Sequence, residues 1–228
     1  MRSRFVNSVR AIGLLTAAAF AVVPTLCARA KTTITREDVI NLLSRFDGAP
    51  DLDIGALKQN VAERSRSRSR NEPPPQNRPP VAPELNKLPT VSVDIQFDTE
   101  TPVVRPQSYE TIGRIADALV HASLLPYSFL VVGHSDATGK REANALLSQR
   151  RADAIRDVLV NTFKIASKRI QSIGLGEEQF IDQAHPASPV NQQIQILTIA
   201  KTPEQSEQSG EAAAAGRPSP AKRPAEKR

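Results

Sequence analysis

Tyr127-Ser128-Phe129-Leu130-Val131-Val132-Gly133-His134-Ser135-Asp136-Ala137-Thr138-Gly139 is the stretch that decides the fold. Tyr127 to Val132 is a short run of aromatic, aliphatic and β-branched residues, the pattern of a buried strand, and Gly133 ends it. From about Arg141 to Phe163 the period becomes helical, with Leu147, Ile155, Val158 and Leu159 on one face. Upstream, Pro106 suits a first helical turn, and Tyr109, Ile112, Ile115, Ala116 and Leu119 form a second helical stripe. Before that, Val91, Val93, Ile95 and Phe97 alternate with polar residues as a half-buried strand. Downstream, Ile170 to Ile173 is a third strand, ended by Gly174 and Gly176, and Gln192 to Ile199 is a fourth. The order β-α-β-α-β-β over residues 91–200 predicts an α/β sandwich with its helices packed on one sheet.

The chain has 228 residues and a net charge of +6, which invites a nucleic-acid partner. The basic excess lies in residues 1–30, 64–90 and 201–228, while 31–63 and 91–200 are each mildly acidic. A foldable segment without basic excess argues against a nucleic-acid interface. The single cysteine, Cys27, excludes a disulfide framework and any multi-cysteine metal site.

Residues 1–30 read as a signal peptide. Arg2, Arg4 and Arg10 precede an apolar run from Ala11 to Val23, Pro24 breaks it, and Ala28-Arg29-Ala30 offers a cleavage site. The rival reading is a retained anchor, since the uncharged stretch from Ala11 to Ala28 has 18 residues, the lower limit for a span of about 17–25. Leu26 before Cys27 is not the small residue that a lipobox requires. The expected mature N-terminus is Lys31, and the expected location is periplasmic, associated with the wall or outer membrane.

Residues 31–63 read as a short helical arm. Thr35 and Asp38 have the spacing of a capping box, Val39, Leu42, Leu43 and Phe46 follow as an apolar stripe, and Ile54, Leu57 and Val61 mark a weaker second helix. Such an arm either docks on the main domain or serves as a partner-binding or self-association element. Residues 64–90 alternate Arg and Ser from Arg64 to Arg70 and then hold 7 of the 18 prolines, the composition of a disordered linker. Residues 201–228 read as a disordered tail.

The chemistry concentrates after the second strand. A loop between a strand and a helix N-terminus is a natural anion site, because free backbone N–H groups point outward there. On the following helix, Arg151 shares the apolar face with Leu147 and Ile155, while adjacent Arg150 points to solvent. A guanidinium on a buried face is costly unless it is paired. Asn144 and Ser148 extend the polar strip toward the loop, where Asp136 is the nearest carboxylate by position. Two readings follow: a structural Arg151–Asp136 ion pair, or a pocket with one fixed cation and one fixed anion that receives a zwitterion.

Gly133-His134-Ser135-Asp136, Asn144, Leu147-Ser148, Arg151-Ala152 and the later Gly174-Leu175-Gly176-Glu177 together resemble the OmpA-like peptidoglycan-binding domain family. Its pattern is G-H-T-D, then N-x-x-L-S-x-x-R-A, then G-x-G-E. The resemblance covers about residues 91–200 and implies an OmpA-like sandwich on a mixed four-stranded sheet. It further implies non-covalent binding of the diaminopimelate side chain of peptidoglycan stem peptides. Asp136 and Arg151 would hold the zwitterionic end, loop amides would assist, Asn144 would support, and Ser135 and His134 belong to the same ligand loop. Ser135 stands where the family has threonine, and Phe180 where proline is common. Asn191-Gln192-Gln193-Ile194 stands where the family has N-R-R-V, and the usual Gly-Arg before Asn191 is missing. These departures are expected to lie away from Asp136 and Arg151.

An enzyme is the rival class, for example a hydrolase using His134 and Asp136. The mature chain holds no G-x-S-x-G or H-E-x-x-H motif and no cysteine nucleophile, so no catalysis, cofactor or metal is expected. With an uncleaved leader the same module would tether the inner membrane to the wall.

Overall fold

The computed structural model describes residues 34–48, 52–67 and 72–201. The proposed leader and the tail beyond Lys201 lie outside the described residues, as does the end of the Arg-Ser run. Among the described residues no helix is long and apolar enough to cross a membrane.

Eight main elements appear: α1 (Arg36–Leu43), α2 (Ile54–Arg66), β1 (Thr90–Val93), α3 (Tyr109–Leu119), β2 (Tyr127–His134), α4 (Arg141–Asp157), β3 (Ile170–Gly176) and β4 (Ile194–Lys201). The strands form one sheet in the order β1-β4-β2-β3. β2 pairs parallel with β3, and β4 runs antiparallel to both β1 and β2, so the sheet is mixed. The α/β order read from residues 91–200 is therefore the observed one. Two boundaries differ. The first strand stops at Val93, although Ile95 and Phe97 stay buried, because the chain turns and Phe97 bridges back to Val104. The long helix leaves α geometry at Val158, where a π turn runs to Thr162.

Both faces of the sheet are covered. On one, Val91, Phe129, Val131, Ile194 and Ile196 pack against α1, α3 and the C-terminal part of α4. On the other, Leu130, Val132, Leu197, Ile173 and Leu175 pack against α2 and residues 81–88. α4 lies directly on the strands because glycines remove the side chains that would hold it off. A Cβ on Gly133 would sit 2.3 Å from the Ser148 carbonyl oxygen, and one on Gly174 would sit 2.0 Å from the Gln149 nitrogen. Gly176 adds a left-handed φ of +55°, a conformation that favours glycine.

The arm is docked. Thr35 Oγ1 accepts from the Asp38 N–H while Asp38 accepts from the Thr35 N–H, completing the capping box. Val39 and Leu43 are fully buried against the first face, and the buried Thr198 hydroxyl donates to the Leu43 carbonyl at 2.8 Å. Ile54, Leu57 and Val61 are buried against the second face. Val39, Leu43, Ile54, Leu57 and Val61 are thus covered within the chain, while Leu42 of the first stripe stays exposed.

Residues 64–67 and 72–90, the described parts of the disordered linker expected at 64–90, are instead packed on the domain. Arg64 and Arg66 close α2, Pro75–Asn77 and Pro83–Lys87 form short 3-10 turns, and Val81, Ala82, Leu85 and Leu88 are buried under the sheet. Its prolines start those turns, where a missing N–H costs nothing. Its arginines neutralise carboxylates of the domain: Glu178, fully buried, pairs with Arg64 at 3.3 Å and with Arg141, and Glu177 pairs with Arg78 at 2.9 Å. Leu85→Ala should therefore cost about 2–4 kcal/mol in a denaturant melt, whereas the same change in a mobile linker would cost almost nothing.

Candidate ligand-binding site

The strand-to-helix loop is built from three neighbours. Gly133 pairs with Ile194 on β4, so the segment preceding β4 runs beside the loop that follows β2. The His134 N–H donates to the Gln193 carbonyl at 3.1 Å, Ser135 N–H to Gly176 at 3.0 Å and Ala137 N–H to Pro186 at 2.9 Å. Those loop amides are engaged inside the protein, so they are not the free anion donors expected there.

Asp136 is buried. Its Oδ1 accepts from the Thr138 N–H at 3.1 Å and the Thr138 hydroxyl at 2.6 Å, and its Oδ2 accepts from Gln192 Nε2 at 2.6 Å. Asn144, buried on α4, donates to the carbonyls of Asp136 (3.2 Å) and Thr138 (2.9 Å) and to Glu177 Oε2 (2.8 Å). It holds the loop in place from behind.

Arg151 comes from the next turn but one of α4. Its guanidinium stacks over the Phe97 ring with Cζ 4.9 Å from the centroid, and its Nε donates to the Thr101 carbonyl at 3.2 Å. Its two terminal nitrogens have no hydrogen-bond partner among the described residues. Burial works against its positive charge and lowers its pKa, while the field of Asp136 acts in the opposite direction. Arg151 and Asp136 make no direct ion pair. Both instead line one open cavity of about 820 Å³, together with Phe97, Thr99, Glu100, Ser135, Asn144 and Gln192. The Ser135 hydroxyl lines this region buried and without a hydrogen-bond partner among the described residues.

Of the five site residues expected from sequence, Asp136, Arg151, Asn144 and Ser135 share the cavity. His134 does not. It is buried, with Nδ1 2.9 Å from the Gln179 carbonyl oxygen and Nε2 3.0 Å from the Gln195 side-chain amide. Burial lowers its pKa and favours the neutral ring, so His134 is a strand-end packing residue. Arg150 is exposed, as expected, but it also lines the cavity rim. The departure at Gln192 is corrected as well: it does not lie away from the pair but bonds Asp136 directly. The β2–β4 pairing brings it there across 56 residues of sequence. Sequence reading also missed the 98–104 turn, which carries Thr101 and Glu100 over Arg151. Glu100 has a left-handed φ of +57°, a conformation that a non-glycine side chain rarely signals. Among the described residues no group of three or more His, Cys, Asp or Glu is placed to hold a metal.

A four-stranded mixed sheet with a cation and an anion held apart at one strand end defines a small α/β module with a charged cavity. Residues 96–193 match the model of the OmpA family, so this part of the chain is similar to OmpA-like domains. Outer membrane porin F of Pseudomonas aeruginosa is 35% identical over 97 residues, 42% of this chain and 27% of the porin. The peptidoglycan-associated lipoprotein of Mesorhizobium japonicum is 39% identical over 85 residues, 37% of this chain and 49% of the lipoprotein. The chain thus spans less than half the length of either relative. Among solved structures, the cell wall anchor of the T6SS from Pseudomonas aeruginosa is 28% identical, with 49% of this chain and 80% of that chain covered and a TM-score of 0.41. The two curated relatives are envelope proteins by name, in agreement with the envelope location expected from the sequence.

Proposed function

We propose that this protein is a non-catalytic cell-envelope protein that binds peptidoglycan non-covalently, through a pocket that takes the zwitterionic end of a diaminopimelate-type side chain. The observation that carries the reading is the separation of charges. Arg151 and Asp136 line one cavity without neutralising each other, and Arg151 keeps its terminal N–H groups unpaired among the described residues. A ligand carboxylate satisfies those donors in a bidentate contact, and its ammonium satisfies Asp136. The Ser135 hydroxyl supplies one further polar contact. The match of residues 96–193 to the OmpA family and the named association of one relative with peptidoglycan favour the same ligand.

Catalysis by His134 and Asp136 is disfavoured by geometry, because His134 lies outside the cavity with both ring nitrogens engaged. The location follows the ligand: periplasmic, at the wall or outer membrane. Incubation of the mature protein with purified sacculi should bring it down in the pellet with no soluble muropeptide released. Released fragments would establish a hydrolase, and protein left in the supernatant would refute the wall-binding reading.

A further inference from the structure

Arg78 lies outside the OmpA-matched segment and outside the cavity of Asp136 and Arg151. Its side chain is nevertheless largely buried, and its Nη1 donates to Glu177 Oε1 at 2.9 Å. Glu177 Oε2 accepts from Asn144 Nδ2 at 2.8 Å, and the same amide group reaches the carbonyls of Asp136 and Thr138. Three side chains and one loop thus form a single file: Arg78, Glu177, Asn144, then the 136–138 turn that presents the ligand-site carboxylate. Glu177 is 6% exposed, and its side-chain oxygens accept from Arg78 and Asn144. A buried carboxylate that loses its cation must take up a proton or admit water. Either change alters the acceptor that fixes the Asn144 amide.

We propose that Arg78 is a positioning residue for the ligand site, acting from the N-terminal segment through Glu177 and Asn144 on the Asp136 loop. The segment before the matched domain would then be part of the binding device as well as of the fold. This inference rests on the ligand reading above for its affinity readout, but not for its structural one.

The test compares the full mature chain with Arg78→Met, Glu177→Gln and the double variant. Sacculus binding and hydrogen exchange at the Thr138 amide, which bonds Asp136 Oδ1, are both measured. Arg78→Met should weaken binding by about three- to thirty-fold and speed exchange at Thr138 while the sheet amides keep their protection. The double variant should regain most of the affinity, because the neutral side-chain amide introduced by Glu177→Gln still accepts from Asn144 and carries no charge, while Glu72, the other carboxylate beside Arg78, keeps Arg141 as its cation. Unchanged Thr138 exchange in Arg78→Met would overturn the proposal, as would loss of protection spread evenly over the sheet. A folded double variant that binds no better than Arg78→Met would do the same. If the unaltered protein fails to bind sacculi, the ligand reading falls, and the exchange comparison still decides the coupling. If Arg78→Met alone does not fold, exchange in the double variant decides: wild-type protection at Thr138 supports the relay, and faster exchange there overturns it.

Discussion

Arg151→Ala should bind sacculi at least about 30-fold more weakly than the parent protein. Truncating one partner of a desolvated charge contact typically costs about 2–5 kcal/mol, and in the proposed pocket the terminal N–H groups of Arg151, unpaired among the described residues, are the bidentate donors. Asp136→Asn should lose a similar amount. The asparagine keeps an oxygen to accept from Thr138, and Gln192 can turn its amide to pair with the new Nδ2 group, so the loop survives while the charge is gone. The double variant should add little to either single change, because both act on one ligand group. Arg150→Ala removes an exposed rim charge and should cost under about 1 kcal/mol, with its effect weakening as salt rises. Thermal melts separate binding from folding. Arg151 is held by one carbonyl and the Phe97 ring, so its loss should shift the melting point far less than it shifts affinity. Equal binding losses for Arg150→Ala and Arg151→Ala, or full binding by a folded Arg151→Ala, would show that the pocket is wrongly assigned.

Gly174→Ala should destabilise the fold by about 3 kcal/mol or more, although residue 174 does not line the ligand cavity. The added methyl group would meet the Gln149 backbone at 2.0 Å from nitrogen and 2.4 Å from Cα. Backbone cannot rotate away as a side chain can, so α4 must lift off β3 or the strand must bend. α4 carries Asn144 and Arg151, so such a lift also displaces the site. At about 2–4 °C per kcal/mol for a chain of this size, the melting point should fall by roughly 10 °C. Gly48→Ala provides the contrast. No atom lies within 4 Å of a Cβ there, so its cost is limited to that of a φ of +128°. A Gly174→Ala protein with an unshifted melt would mean that α4 and β3 are not in the close contact described.

The legible parts of this protein are those in which local chemistry repeats at a fixed period. Alternation from Val91 and the apolar run from Tyr127 mark strands, and three-to-four spacing marks α3 and α4. Thr35 and Asp38 mark a helix start that the structure reproduces bond for bond. The positions of Asp136 and Arg151 were readable because loop and helix are adjacent in the chain, and because a guanidinium on an apolar helix face requires an explanation. Other features could not be read. His134 sits in the same short motif as Asp136, yet as the last residue of β2 it is held by Gln179 and Gln195, while Asp136, in the loop beyond the strand, lines the cavity.

Composition misled at residues 64–90. Arginine, serine and proline are the residues of a mobile linker when nothing lies opposite them, and composition does not report what lies opposite. Glu177 and Glu178, about a hundred residues further on, are buried carboxylates that demand cations, and Arg64 and Arg78 supply them. Gln192 and Thr101 reach the site in the same way, by strand pairing and by a turn folding back over Phe97. The sequence by itself determined the order of elements, the helix start at Thr35 and the closeness of Asp136 and Arg151 to one cavity, because these depend on neighbours within a few turns of chain. Only the tertiary structure decided which charges meet, which amides are already engaged and what covers the second face of the sheet. Those outcomes depend on desolvation, and a group is desolvated only when distant segments close over it.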